Sequence, residues 1–162
     1  MRVAIITSSD SGYEGKREDK SAPVIEKLVT DAGYTVVHKI VLPDEIKMLK
    51  AEMIRICDEN IADLILTTGG TGFSQRDVMP EATCAVSNKN VPGIPEAMRF
   101  YSMQFTKRAM LSRAAAGIRG NTLIVNMPGS PKAVGECLEY ILPELSHGLE
   151  ILLGEAKDCA RK

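Results

Sequence analysis

The stretch ADLILTTGGTG, residues 62–72, joins a run of strand-forming residues to a glycine-rich turn. Its apolar residues are continuous rather than alternating, which is typical of a strand that is buried on both faces of a parallel sheet. Glycines at positions 69, 70 and 72 would let backbone N–H groups approach a ligand with no Cβ in the way. The stretch therefore predicts a central strand whose end contributes to a binding site.

Three other segments have a similar strand-like composition: VAIIT, TVVHKIVL and TLIVNM, at 3–7, 35–42 and 122–127. Helical periodicity lies between the strands. The first predicted helix covers 21–33 and ends at Gly33, a residue suited to a left-handed cap. The next covers 44–60 and carries an apolar stripe at helical spacing. This alternation predicts an α/β fold, a doubly wound and mostly parallel sheet with helices on both faces, in a single domain over 1–162.

The middle and the end of the chain are harder to assign. A helix is expected to begin near Pro95, whereas SRAAAGIRGN, residues 112–121, is compatible with helix, strand or loop. Residues 130–154 are predicted to form two helices divided at Pro143, because proline lacks an N–H group and clashes with the preceding turn.

Composition excludes several classes of function. Lys and Arg together number 20 and Asp and Glu 21, spread along the chain, so no basic surface indicates nucleic acid. The four cysteines, at 57, 84, 137 and 159, lack the spacing of a zinc site or a disulfide framework and are expected to be reduced and mostly buried. With neither a signal peptide nor an apolar run long enough for a membrane span, we expect a cytoplasmic protein that binds no membrane.

Ligands of open parallel sheets bind beyond the carboxyl ends of the strands. The residues that follow the predicted strands are small, polar or acidic: Ser8 and Asp10; Asp44; Gly69, Gly70, Thr71 and Gly72; and Pro128, Gly129 and Ser130. Backbone N–H groups ahead of a helix favour an anion, so the glycine turn predicts a phosphate cradle. A tight turn with no ligand explains the glycines alone about equally well.

Asp44 and Asp77 could each cap the helix that follows, and taken singly that interpretation is favoured. Two carboxylates beside a phosphate site would repel the ligand unless a divalent cation such as Mg²⁺ lay between them. Arg76 and Lys132 could offset phosphate charge, although a solvated surface position is the better expectation for any single basic residue. Ser130 lacks the surrounding GxSxG motif, which argues against a serine hydrolase.

Several motifs resemble the MogA/MoaB family of molybdopterin-binding proteins: TTGGTGFSQRDVMPEAT (67–83), VPGIPEAMR (91–99), LSRAAAGIRG (111–120) and NMPGSPKA (126–133), with SSD at 8–10 and LPDE at 42–45. They span nearly the whole chain in the order and spacing of the family. The resemblance implies a molybdopterin adenylyltransferase, in which the terminal phosphate of molybdopterin attacks the α-phosphorus of Mg-ATP. The products are adenylyl-molybdopterin and pyrophosphate.

The resemblance also implies roles for particular residues. Asp44 and Asp77 match catalytic aspartates that act through Mg²⁺, the turn at 69–72 matches the ligand-contacting turn, and the loop at 128–130 matches the loop that holds the pterin. Ser8 and Asp10 match the end of the first strand, without a defined role. A homotrimer, with hexamers in some members, and a MoeA-type molybdenum insertion protein as partner are implied in the same way. Gln75 and Met79 depart from the usual pattern without removing a charge.

Two alternatives remain open at this point. Because the family includes members with little or no enzymatic role, the chain could be a non-catalytic carrier of molybdopterin. It could also be a nucleotide-binding or assembly domain unrelated to pterins. Release of pyrophosphate separates the first alternative from the enzyme, and tight binding of ATP that molybdopterin does not affect would favour the second.

Overall fold

The computed structural model describes residues 1–155. The strands are β1 (Arg2–Ser8), β2 (Thr35–Leu42), β3 (Leu64–Thr68), β4 (Lys89–Asn90), β5 (Ala116–Arg119) and β6 (Thr122–Met127). The helices are α1 (Asp10–Tyr13), α2 (Ser21–Asp31), α3 (Ile46–Asp58), α4 (Met79–Val86), α5 (Gly93–Ser102) and α6 (Pro131–Leu152), with a short 3₁₀ helix at Lys107–Leu111.

The strands form one six-stranded sheet in the order β2-β1-β3-β6-β5-β4. The pairs β1–β2, β1–β3 and β3–β6 are parallel, whereas β5 runs antiparallel to both β6 and β4. The predicted doubly wound, mostly parallel α/β sheet is therefore confirmed. The carboxyl ends of β1, β2, β3 and β6 lie along one edge, since their residues are paired in parallel register.

Successive residues of the central strands point to opposite faces of the sheet, and both faces are covered. On one face, Leu64 and Leu66 pack with residues of α2, α5 and α6. On the other face, Ile65 packs with residues of α3 and α4. All five residues of β3 are buried, which explains why its apolar run does not alternate.

Two parts of the chain differ from, or resolve, the sequence-based prediction. The predicted division of the last helix at Pro143 is wrong, because α6 continues through that residue. Buried leucines lie on both sides of it, at Leu142, Leu145 and Leu149, and their packing outweighs an interior proline cost of about 3 kcal/mol. The undecided segment 112–121 contains β5. Helix α5 begins at Gly93, close to the expected start near Pro95.

Three of the cysteines fall within the described residues, and none of the three forms a disulfide. Cys57 and Cys137 are buried, and burial raises the pKa of the Cys57 thiol to about 11. Cys84 is exposed. Cys159 lies outside the described residues. Across residues 1–155, the helices are too short or too polar to span a membrane.

Candidate active site

The ends of β1 and β2 bring Ser8, Asp10 and Asp44 together. Ser8 pairs in register with Leu42, so the two strands end side by side. The Ser8 hydroxyl donates to Asp44 Oδ1 at 2.5 Å, the Asp10 N–H donates to Asp44 Oδ2 at 3.1 Å, and the Asp44 N–H donates to Asp10 Oδ1 at 3.0 Å. Asp44 does not cap α3, since the cap position is Glu45 and no side-chain bond is made there. The capping interpretation is thus wrong, because the carboxylate is engaged by the end of β1.

Arg76 connects the loop after β3 to this cluster. Its Nε and Nη2 donate to the two oxygens of Asp10 at 3.0 and 2.9 Å, and its Nη1 donates to Glu45 at 2.9 Å. The hydrogen bond from Arg76, and next the backbone N–H of Asp44, lower the pKa of the Asp10 carboxyl. Arg76 therefore links the loops that follow three adjacent strands, β2, β1 and β3.

The glycine turn passes directly against the end of β1. Gly69 and Gly70 have φ angles of +88° and +64°, a region that favours glycine. A Cβ on Gly69 would lie 2.3 Å from the Ser8 carbonyl oxygen, and one on Gly70 would lie 3.4 Å from Asp44 Oδ1. Both glycines are thus required by the backbone itself, and Gly70 also lies beside the Ser8–Asp44 pair.

Asp77 lies in the loop between this turn and α4. Its Oδ2 accepts from the Ser74 N–H at 2.9 Å, and its own N–H donates to the Ser74 carbonyl at 3.0 Å. A Cβ on Gly72 would lie 2.9 Å from that same Oδ2. Asp77 does not cap α4, whose cap position is Val78, so the capping interpretation is wrong here as well. Its carboxylate is instead held against the glycine turn.

The loop after β6 packs on the same turn. Thr68 Oγ1 donates to the Pro128 carbonyl at 2.7 Å, and a Cβ on Gly129 would lie 3.3 Å from the Gly69 Cα. The Ser21 hydroxyl, at the start of α2, donates to the Gly129 carbonyl at 3.0 Å. Ser130 occupies the cap position of α6 without a side-chain capping bond. The loops predicted from the sequence therefore meet at one edge of the sheet.

A cavity of about 690 Å³ opens beside the joined loops. Its lining includes Ser8, Gly69 and Gly129 from the predicted site, and also Lys16, Arg17 and Lys20. A second cavity, of about 330 Å³, is lined by Thr71, Gly72 and Pro128 together with Arg99 and Arg108. The glycine turn and the loop after β6 thus border two cavities, each with basic side chains in its lining.

Sequence reasoning overlooked three groups that shape this edge. The first is the charged run KREDK at 16–20, three basic and two acidic residues, which could have been recognised because it follows the end of the first strand. The second is Asn126, whose buried Nδ2 donates to Thr67 and Thr83 at 3.0 and 2.7 Å. The third is Arg113, which was quoted within a motif but given no role. Lys132 lies exposed on α6, 3.8 Å from Glu136, which agrees with the solvated surface position favoured for it.

The predicted metal pair remains a prediction. Within residues 1–155 no cluster of three or more His, Cys, Asp or Glu side chains is arranged to hold a metal ion. Asp44 and Asp77 nevertheless border the same glycine turn, at Gly70 and Gly72 respectively. Since Mg²⁺ commonly takes only one or two protein carboxylates and completes its shell with phosphates and water, this donor set fits a metal that arrives with a nucleotide.

The geometry defines an α/β protein in which the loops that follow four strands meet at one edge of the sheet and are rich in small and polar residues. Residues 4–147 match the family described as "Probable molybdopterin binding domain". Molybdopterin adenylyltransferase of Helicobacter pylori strain J99 is 37% identical over 156 residues, which cover 95% of this chain and 89% of the relative. The enzyme of the same name from Escherichia coli K12 is 39% identical over 143 residues, covering 87% of this chain and 73% of the relative.

A solved structure gives the same result. The molybdopterin biosynthesis enzyme MoaB from Thermus thermophilus superposes with a TM-score of 0.90 at 43% identity, covering 94% of this chain and 96% of that one. The chain belongs to the MogA/MoaB family of molybdopterin-binding proteins. The resemblance stated from the motifs is confirmed.

Proposed function

We propose that this protein is a molybdopterin adenylyltransferase of molybdenum cofactor biosynthesis. It would transfer the adenylyl group of Mg-ATP to the terminal phosphate of molybdopterin and release pyrophosphate. The observation that carries the proposal is the pair of carboxylates, Asp44 and Asp77, held beside Gly70 and Gly72 of one glycine turn. Membership of a molybdopterin-binding family supports the identity of the substrate.

The reaction needs no nucleophile from the protein. An oxygen of the molybdopterin phosphate forms a bond to the α-phosphorus of ATP, the bond to the bridging oxygen breaks, and that oxygen leaves with the pyrophosphate. The attacking group is already an anion, so the protein must align the two phosphates and neutralise their charge. Lys16, Arg17 and Lys20 line the larger cavity together with Glu18 and Asp19, and the excess of positive charge would reduce the repulsion between the substrates.

We assign the residues of the edge as follows. Asp44 and Asp77 would hold Mg²⁺, which when bound neutralises phosphate charge and polarises the leaving group. Ser8 and Asp10 fix the orientation of Asp44 through their hydrogen bonds to its two oxygens. The turn formed by Gly69, Gly70, Thr71 and Gly72 would present backbone N–H groups to phosphate, and Pro128, Gly129 and Ser130 would contact the pterin.

A single-turnover experiment tests the proposal. Purified protein is mixed with molybdopterin and Mg-ATP, and both adenylylated pterin and pyrophosphate are measured. Wild type should form both, and Asp77→Asn should be slower by roughly 100-fold or more, the effect expected from losing one charge-stabilising group. Asp58→Asn is the matched control. The Asp58 carboxylate, at the end of α3, forms an ion pair of 2.8 Å with Arg119 of β5, and both residues lie outside the loops of the site.

The carrier hypothesis is decided in the same assay. Binding of molybdopterin without any pyrophosphate would refute the transferase and favour a carrier. Pyrophosphate released from wild type and from Asp77→Asn at the same rate would retain the transferase but remove Asp77 from the chemistry. Tight binding of ATP that is unaffected by molybdopterin would favour a nucleotide-binding domain with no link to pterins.

We also propose that the chain is one cytoplasmic domain that forms a homotrimer, with a hexamer as the alternative. An apolar cavity of about 510 Å³ lies between α5, α6 and the β5–β6 pair. Large apolar side chains nearby are exposed, among them Phe100 at 65% and Tyr140 at 44%, which indicates a contact surface. Light scattering on the purified protein measures the assembly.

A MoeA-type molybdenum insertion protein would receive the product.

A further inference from the structure

Arg113, in the segment between the 3₁₀ helix and β5, directs its polar groups at the loop that carries Asp77. Its backbone N–H donates to the Thr71 carbonyl at 3.0 Å. Its Nε donates to the Gly72 carbonyl at 2.7 Å, and its Nη2 donates to the Asp77 carbonyl at 2.6 Å. Its Nη1 forms an ion pair with Glu81 in the first turn of α4. One side chain therefore holds both ends of the segment 72–77.

The shape of the guanidinium group is essential to this arrangement. Its N–H groups lie in one plane at fixed angles, so a single group can bond two carbonyls and a carboxylate at once. Gly72 and Asp77 stand at the start and the end of the loop, and the bonds to their carbonyls fix the distance between them. A lysine at this position would keep the charge but has a single nitrogen, which cannot reproduce the fork.

Apart from the bonds of Arg76 to Asp10 and Glu45, the loop has few contacts to hold it. Phe73 is 70% exposed, and Ser74 and Arg76 are exposed as well, so apolar packing does not restrain the segment. Inside it, the Asp77 carboxylate is tied to the Ser74 N–H. The direction of that carboxylate therefore depends on the path of the loop, whose two ends Arg113 holds while Arg76 ties its side to Asp10.

We propose that Arg113 is a positioning residue for adenylyl transfer, which holds the Asp77 carboxylate in its productive orientation without touching the substrates. This inference rests on the proposed function for the part that concerns rate, and on the structure alone for the part that concerns the loop. Misplacing a reacting or charge-stabilising group by about 1 Å costs a reaction on the order of 100-fold.

The main test is Arg113→Lys, with kcat and KM determined separately for molybdopterin and ATP. We expect kcat to fall by about 10- to 100-fold while both KM values change by less than about threefold, because ground-state binding is retained and transition-state alignment is lost. The matched control is Arg119→Lys. Arg119 also combines an ion pair, to Asp58, with a bond to a backbone carbonyl, that of Val86, and it lies outside the site.

A second comparison separates positioning from general damage to the fold. If Arg113 acts through Asp77, adding Arg113→Lys to Asp77→Asn should cost less than about threefold more, since the carboxylate that it positions is already absent. If Arg113→Lys lowers kcat as much in the Asp77→Asn background as it does in wild type, the proposal is overturned. An equal loss of kcat in Arg119→Lys would also overturn it, because the loss would then follow from removing any arginine that bonds a carboxylate and a backbone carbonyl.

The loop itself supplies a readout that needs no activity. Amide hydrogen exchange at Ser74 and Asp77 should accelerate in Arg113→Lys and stay at the wild-type rate in Arg119→Lys. If wild type proves inactive, the proposed function fails while this measurement still decides whether Arg113 holds the loop. Unchanged exchange in Arg113→Lys would refute the positioning role whatever the enzyme does.

Discussion

The central strand β3 and the loop that follows it are adjacent in the chain but are held by different forces. All five residues of Leu64–Thr68 are buried, and apolar side chains pack on both faces of the strand. In the loop at 69–77, by contrast, glycines allow close backbone contact, and polar bonds made by Arg113, Ser74 and Arg76 fix the path. We therefore expect substitutions in the strand to lower stability alone, and substitutions in the loop to lower activity, with a loss of stability only where they also strain the backbone.

The largest expected effect on stability is in the strand. Leu64→Ala removes a fully buried side chain at the end of β3 that lies away from the glycine turn. We expect the free energy of unfolding to fall by about 3 kcal/mol, from lost apolar burial and the cavity left behind. Val37→Ala, at a position 41% exposed on β2, is the control and should cost much less. Both are measured by urea unfolding, with product formation per folded molecule unchanged in each.

A smaller loss of stability, together with a loss of activity, is expected from Gly69→Ala. The new Cβ would meet the Ser8 carbonyl at 2.3 Å, and the φ of +88° is itself unfavourable for alanine. We expect about 2 kcal/mol of destabilisation and displacement of the Ser8–Asp44 pair, which would slow product formation.

Gly33→Ala separates the two causes. Gly33 also has a positive φ, +83°, but a Cβ there would meet no atom within 4 Å. It should cost about 1 kcal/mol from backbone conformation and leave the rate of product formation unchanged. Equal rates in the two variants would contradict the idea that the turn positions the site.

The strand and the loop also differ in how far they could be predicted from the sequence. Continuous apolar runs such as that of β3 indicate buried parallel strands, because successive side chains point to opposite faces of the sheet and both faces are covered. The glycine turn could be placed at the edge of the sheet for the same reason. Which partners Asp44 and Asp77 would find could not be predicted, since helix capping and loop contacts use the same carboxylate and only the tertiary path decides between them.

Where several weak preferences compete, sequence reasoning failed or left the question open. Pro143 was expected to end a helix, yet the apolar stripe on both sides of it packs against the core and keeps α6 continuous. Segment 112–121 mixes alanines with glycines, and its strand conformation depends on pairing with β6. Arg113 could not be assigned a role because its partners are backbone carbonyls far earlier in the chain, at Gly72 and Asp77, 41 and 36 residues away.

Asp63, which directly precedes β3, should make the stability of the strand region depend on pH. The Arg2 N–H and guanidinium both bond Asp63 at 2.7 Å. Burial alone would raise the pKa of Asp63, but the hydrogen bonds and charge of Arg2 outweigh it and keep the pKa below its ordinary value. A lowered carboxyl pKa contributes stability that is present above the unfolded value, about 3.9, and is lost as pH falls through the folded value.

Asp63→Asn should therefore lower the free energy of unfolding by about 1 kcal/mol at neutral pH, a modest figure because Arg2 is 48% exposed. The difference from wild type should shrink as the pH falls below about 4. Urea unfolding at a series of pH values measures it, and Asp31→Asn, in an exposed pair with Lys27, is the control. A difference that does not change with pH would mean that the charge of Asp63 does not stabilise the fold through its pair with Arg2.

The smallest expected effect on stability lies in the loops, at Arg76. Its side chain is 51% exposed and that of its partner Asp10 is 43% exposed, so solvent screens the pair. Arg76→Gln should therefore change the urea unfolding curve little. The electrostatic effect should still be visible, because the hydrogen bond from Arg76 is the largest cause of the lowered pKa of Asp10.

Carboxyl ¹³C titration by NMR measures that effect directly. The pKa of Asp10 should rise toward its ordinary value of about 3.9 in Arg76→Gln. Arg119→Gln, which should raise the pKa of Asp58 in the same way, should leave Asp10 unchanged. If the pKa of Asp10 stays low without Arg76, the backbone N–H of Asp44 is the group that holds it. The loop after β3 would then contribute less charge to this edge than its contacts indicate.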